Sequence, residues 1–123
     1  ERARLAPGSR NVEFAPGFQP REGDVVVTKH RYSAFFGTPL AAILRARGIR
    51  TVVVTGLTTD VCVGSTARDA FQRDCNVITL ADCTAEMTRE RYESALATLA
   101  ETFGIVCTSE ELVAAWHAGR ATA

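Results

Sequence analysis

Two observations predict an α/β fold, a three-layer αβα arrangement around a parallel, doubly wound, Rossmann-like sheet. Short β-branched runs alternate with amphipathic segments four times along the 123 residues. The runs themselves, such as TVVVT at 51–55, are apolar without a break, which is the pattern of strands buried on both faces. Strands alternating with helices imply right-handed crossovers and hence a parallel sheet. Such sheets bind ligands at the carboxyl ends of their strands, and Lys29, Gly56 to Cys62 and Asp82 to Thr84 all fall at that edge.

The elements follow in order. Residues 1–23 are rich in Arg, Pro and Gly without periodicity and read as an irregular lead-in; the regular domain runs from 24 to 123. DVVVTK (24–29) is the first strand. In TPLAAILRARG (38–48) Thr38 is the N-cap, Pro39 the first helical residue, Leu40, Ile43 and Leu44 the apolar stripe and Gly48 the stop. TVVVTG (51–56) is the second strand. In DVCVGSTARDAFQRD (60–74), Val63, Ala67, Ala70 and Phe71 share one helical face, with Asp60 as N-cap. NVITLAD (76–82) returns to strand. Tyr92, Ala95, Leu96, Leu99 and Phe103 form the stripe of the third helix, Gly104 ends it, and IVCT is the fourth strand. Thr108 with Glu111 forms a capping box for a last helix through Trp116.

Composition excludes several function classes. Fourteen Lys and Arg balance fourteen Asp and Glu, so no overall field draws the chain to nucleic acid or to an anionic membrane. Its longest apolar runs are strand-sized and the first residues lack a signal peptide's apolar core. The expectation is a cytoplasmic protein with a small-molecule partner. Cys62, Cys75, Cys83 and Cys107 show no CxxC spacing and read as free thiols. His30 and His117 stand singly, which argues against a metal site within the chain.

Cys62 sits at the mouth of a predicted helix, where unpaired N–H groups favour a thiolate and can receive the oxyanion of an attacked carbonyl. Lys29, at another strand end, could add positive charge if the fold brings the two together. Cysteine is also among the most buried residue types, so spacing alone leaves Cys62 between core packing and chemistry. Tyr32, Phe35 and Phe36 are open between core and pocket wall.

Two motifs narrow this choice. The stretch VVTKHRYSAFFGTPLAAILRARGIRTVVVTGLTTDVCVGSTARDAF, continued by DCTAE and ALATLAETFGIVCTSEEL, resembles the isochorismatase-like cysteine hydrolases, which include nicotinamidases, N-carbamoylsarcosine amidase, biuret hydrolase and ureidoacrylate amidohydrolase. The resemblance runs from about Asp24 to Leu112. It implies that Cys62 is the nucleophile and Lys29 the triad lysine. It further implies a cis peptide between Leu57 and Thr58 and an oxyanion hole from the N–H groups of Thr58 and Cys62. Phe35 and Tyr32 would wall the substrate pocket.

The resemblance also implies what is not seen in these residues. The family's catalytic aspartate belongs at the end of a first strand, and nothing in residues 1–23 matches its segment, so it is expected upstream of Glu1. The family sheet has six strands in the order 3-2-1-4-5-6, of which this chain holds the C-terminal four strand-helix units; the remaining segment is expected on a longer polypeptide or as a second peptide. The implied activity is hydrolysis of a C–N bond in a small amide or ureide through a thioester, with a carbamoyl or ureido substrate favoured. No cofactor is required on this reading. The alternative is a nicotinamidase, with a divalent metal held by ligands outside this chain. An alternative of another class is a non-catalytic subunit or interaction module. A homo-oligomer is expected, as is common in the family.

Overall fold

The computed structural model describes residues 6–121. Its sheet has three parallel strands in the order β1-β2-β3, with β1 at Thr51–Leu57, β2 at Asn76–Ala85 and β3 at Ile105–Cys107. Four helices accompany them: α1 (Leu40–Ala46), α2 (Gly64–Phe71), α3 (Arg89–Thr98) and α4 (Ser109–Ala121). Turns of π type precede α2 at Thr59–Val63 and extend α3 at Leu99–Phe103. Among the described residues, the lead-in carries a short 3-10 turn at Arg10–Val12.

The α2 stripe packs as its spacing predicts. Val63, Ala67 and Ala70 are buried against Val54 of β1, Val77 of β2, Leu99 and Phe35. Alanines at the contact let helix and sheet approach closely, so the stripe fixes how α2 lies over β1 and β2. Phe71 is half exposed, but its ring meets Phe103 edge-on at 5.6 Å, which joins α2 to the end of α3. Leu40, Ala41 and Leu44 of α1 close the same cluster, and α4 rests on β2.

Three expectations are corrected. DVVVTK (24–29) forms no strand among the described residues, so the sheet has three strands rather than four. A strand is made by its neighbour's hydrogen bonds, and without one the β-branched run stays irregular, with Val25 44% and Val26 57% exposed. β1 is not buried on both faces: alternation along the strand turns Val52 and Val54 to the core and leaves Val53 exposed on the other face. Helix starts also shift: Pro39 is the N-cap of α1, although the Thr38 hydroxyl still accepts the Leu40 N–H at 3.3 Å. The capping box at α4 forms reciprocally, with the Glu111 N–H on Thr108 Oγ1 at 3.2 Å and the Thr108 N–H on Glu111 Oε2 at 2.7 Å.

One irregularity in the sheet positions the site. β1 and β2 pair in step to Val54 opposite Thr79, and next at Gly56 opposite Thr84. Two residues of β1 thus face five of β2, and Gly56 takes φ +111°, which a side chain would resist. Residues 80–83 of β2 bow out, and Thr84 and Ala85 rejoin β1 beside the turn that carries Cys62.

Candidate active site

β1 ends at the carboxyl edge of the sheet and the chain turns directly into the helical segment that bears Cys62. The Leu57–Thr58 peptide bond is cis. Thr58 is extended (φ −94°, ψ 150°) and is the N-cap, so Asp60, expected as the cap, lies within the first turn instead. The Thr58 carbonyl accepts the N–H groups of Val61 at 3.2 Å and Val63 at 3.1 Å. The bond from Val63 winds the turn more widely than an α-helix, and Cys62 on it is half-buried. Thr66, one turn on, donates its hydroxyl to the Cys62 carbonyl at 2.8 Å and accepts the Ala34 N–H at 3.0 Å. Backbone positions on both sides of Cys62 are therefore held by named hydrogen bonds.

A second group of contacts reaches the same turn from the loop after β2. The Asp60 N–H donates to Glu86 Oε2 at 3.0 Å, and Glu86 Oε1 accepts the Met87 N–H at 2.9 Å. Arg91 of α3 donates to Asp60 Oδ2 at 3.1 Å. An open cleft of about 390 Å³ adjoins, lined by Glu86 with Thr84, Thr88, Arg89 and Tyr92.

The other residues singled out from the sequence are placed differently. Lys29 lies on the exposed 24–29 segment, its Nζ donating to Arg31 O at 2.9 Å, and no hydrogen bond joins it to Cys62 among the described residues. Phe35 is 5% exposed in the core, with the Arg73 guanidinium 4.9 Å above its ring. It borders a cavity of about 270 Å³ with Gly48, Arg50 and Asp74, at the amino ends of β1 and β2 and away from Cys62. Tyr32 is 64% exposed. Among the described residues, Phe35 packs in the core with Ala67 and Ala70 of α2, and the cavity it borders does not include Cys62. Among the described residues no three His, Cys, Asp or Glu side chains stand close enough to hold a metal ion, and no helix is long and apolar enough to cross a membrane.

Three residues at the site carried no sequence signal of their role. Glu86 ends the DCTAE motif, Arg91 sits on the polar side of α3, and Thr66 lies between core positions of α2. A Glu and an Arg in such places are ordinary surface residues until the bowed β2 brings the loops together, and Thr66 shows its part only through its bonds to the Cys62 carbonyl and the Ala34 N–H.

Carboxylates at this edge are held ionised. Glu86 lies below the usual carboxylate range because of the Met87 N–H, then the Asp60 N–H, with the Arg91 charge adding. Asp82 is lowered by the Ser109 hydroxyl and then its N–H, and Glu111 by the Thr108 N–H. The Cys107 thiol is pushed up by burial and by the charges of Glu111 and Asp82. For carboxylates lowered in the folded state, the unfolded chain binds more protons in acid. Their stabilisation is complete above about pH 4 to 4.5 and drains as pH falls through the depressed folded values. Urea midpoints should therefore be level from neutrality to about pH 5 and drop below about pH 4. Asp82→Asn should lower the neutral midpoint and make the acid fall shallower, and a midpoint indifferent to acid would refute these linkages.

Comparison with known proteins places this geometry. The protein-family model described as isochorismatase domain matches residues 1–111. The ureidoacrylate amidohydrolase RutB of Methylobacterium radiotolerans is 46% identical over 103 residues, covering 83% of this chain and 40% of that protein. The chain thus spans about two fifths of the length of that relative. An isochorismatase-like hydrolase from Alkaliphilus metalliredigens superposes with TM-score 0.85 at 40% identity, over 91% of this chain and 65% of that one. N-carbamoylsarcosine amidase from Thermoplasma acidophilum gives TM-score 0.74 at 37% identity, over 82% and 57%. With the domain match spanning most of its residues and relatives alike in both sequence and fold, the chain belongs to the isochorismatase family.

Proposed function

We propose that this chain carries the nucleophile of a cysteine-dependent hydrolase acting on a C–N bond of a small carbamoyl or ureido compound. The observation that carries the reading is the position of Cys62: in the first turn of the helical segment that follows β1, at the carboxyl edge of a parallel sheet. The identity to a ureidoacrylate amidohydrolase and the likeness to an N-carbamoylsarcosine amidase support the substrate class.

The Cys62 thiolate attacks the carbonyl carbon, and the resulting oxyanion accepts N–H groups of Thr58 and Cys62. Collapse of that tetrahedral species breaks the C–N bond, the nitrogen leaves protonated as ammonia or an amine, and water then cleaves the thioester to the acid and free thiol. The proton on the thiol needs a base, for which the resemblance supplies an aspartate upstream of Glu1. Lys29 enters as the charge-balancing lysine on the same resemblance, which requires the 24–29 segment to leave its present contact with Arg31. No cofactor is required on this reading.

Timed alkylation with iodoacetamide at neutral pH, mapped by peptide mass, tests the nucleophile. Cys62 should be modified at least about tenfold faster than Cys75 and Cys107 and faster than the exposed Cys83. A reading from another class, an interaction module without turnover, draws on the Lys29 contact to Arg31. Four equally sluggish thiols would favour it.

A further inference from the structure

Glu86 is a half-buried residue at the rim of the open cleft it shares with Tyr92, and the chemistry above does not use its carboxylate. Only 1% of its side chain meets solvent. A carboxylate taken out of water is costly unless hydrogen bonds and charge replace the hydration, and here they do. Its two oxygens accept the Asp60 and Met87 N–H groups, the Thr58 side chain is a weaker contact, and the Arg91 guanidinium lies 3.9 Å away. Arg91 is itself shared, holding Asp60 Oδ2 at 3.1 Å.

Two of these partners, Asp60 and Thr58, belong to the turn on which the proposed oxyanion hole is built. A helix start leaves its first N–H groups unpaired and free to compete for any oxygen nearby. In this turn the N–H groups of Val61 and Val63 return to Thr58 O, and that of Asp60 is taken by Glu86. Those three are spoken for, and the two the mechanism needs belong to Thr58 and Cys62, on either side of Asp60. A charge-assisted bond at Asp60 fixes the peptide planes between them, and an oxyanion hole works only when its donors are aimed beforehand.

We propose that Glu86, braced by Arg91, is a positioning residue that clamps the Thr58–Cys62 turn and so aims the oxyanion donors. The proposal rests on the reading of Cys62 as nucleophile. It assigns the DCTAE loop a role in turnover without contact with substrate.

Glu86→Gln tests it, since the amide keeps the size but turns an NH2 toward one of the N–H groups the carboxylate holds. On ureidoacrylate, kcat should fall roughly tenfold or more with KM within about twofold. Independently of turnover, exchange of the Asp60 amide followed by NMR should quicken about tenfold while the Val77–Leu80 amides of β2 hold. Arg91→Gln, on a side chain 49% exposed, should move both readings the same way by about threefold; it carries the test if Glu86→Gln does not fold. Unchanged Asp60 exchange overturns the clamp. Cys62→Ser is run alongside: if it is dead while Glu86→Gln keeps its kcat, the positioning role alone falls, whereas an active Cys62→Ser overturns the amidase reading and leaves the exchange rates to decide whether Glu86 holds the turn.

Discussion

Replacing Cys62 by alanine should lower ammonia release, in any preparation that hydrolyses ureidoacrylate, by about ten-thousandfold or more. Without the sulfur no thioester forms, and the residual rate is what bound water achieves with the help of the oxyanion hole. The fold should not register the change. Thr66 holds the Cys62 carbonyl, not its side chain, and the neighbouring Val63 and Ala67 remain packed on the sheet. A half-buried cysteine exchanged for alanine should cost no more than about 1 kcal/mol. The variant therefore separates chemistry from stability, and retention of turnover with a normal melting curve would remove Cys62 from the mechanism.

Gly104→Ala should be the most damaging single substitution for the fold. Gly104 lies between the π turn of α3 and β3 at φ +151°, outside the range of most L-residues. An added Cβ would fall inside the contact radius of Val77 O and within 3.0 Å of the Val77 backbone and side chain. Neither can give way, because the Val77 peptide is in the β1–β2 ladder and its side chain is in the core. The strain should cost about 3 kcal/mol or more and lower the melting temperature by roughly 10 °C or more. Chain loss should begin at β3, visible as faster amide exchange at Ile105–Cys107 than at Thr51–Val54. A variant that melts with the parent would mean that β3 is not held as described.

What the sequence reveals depends on how local its cause is. The α2 stripe of Val63, Ala67 and Ala70 and the Thr108–Glu111 capping box are set by residues three or four apart, and both form as their spacing predicts. DVVVTK has the composition of a strand, but a strand also needs a neighbour, which no residue within 24–29 can encode. Phe35 looks identical as core or pocket residue until α2 presents its alanines to it. Cys62 became legible through motif resemblance, and its helical-mouth position follows from the turn after β1. Glu86 was silent because its partner Asp60 is 26 residues away and the contact depends on an irregular ladder.

That irregular ladder also sets a length. Because side chains alternate along a strand, the number of residues in the bow at 80–83 decides which face the following residues present. Removing one would rotate Thr84 to Glu86 by half a turn and aim the carboxylate away from Asp60, while leaving β1, α2 and the cysteine where they are. The bow is thus a spacer with a gauge: an exposed side chain such as Cys83 is free to vary, whereas Leu80 is buried and Asp82 is held by Ser109, and insertions and deletions there would put the two loops of the site out of phase.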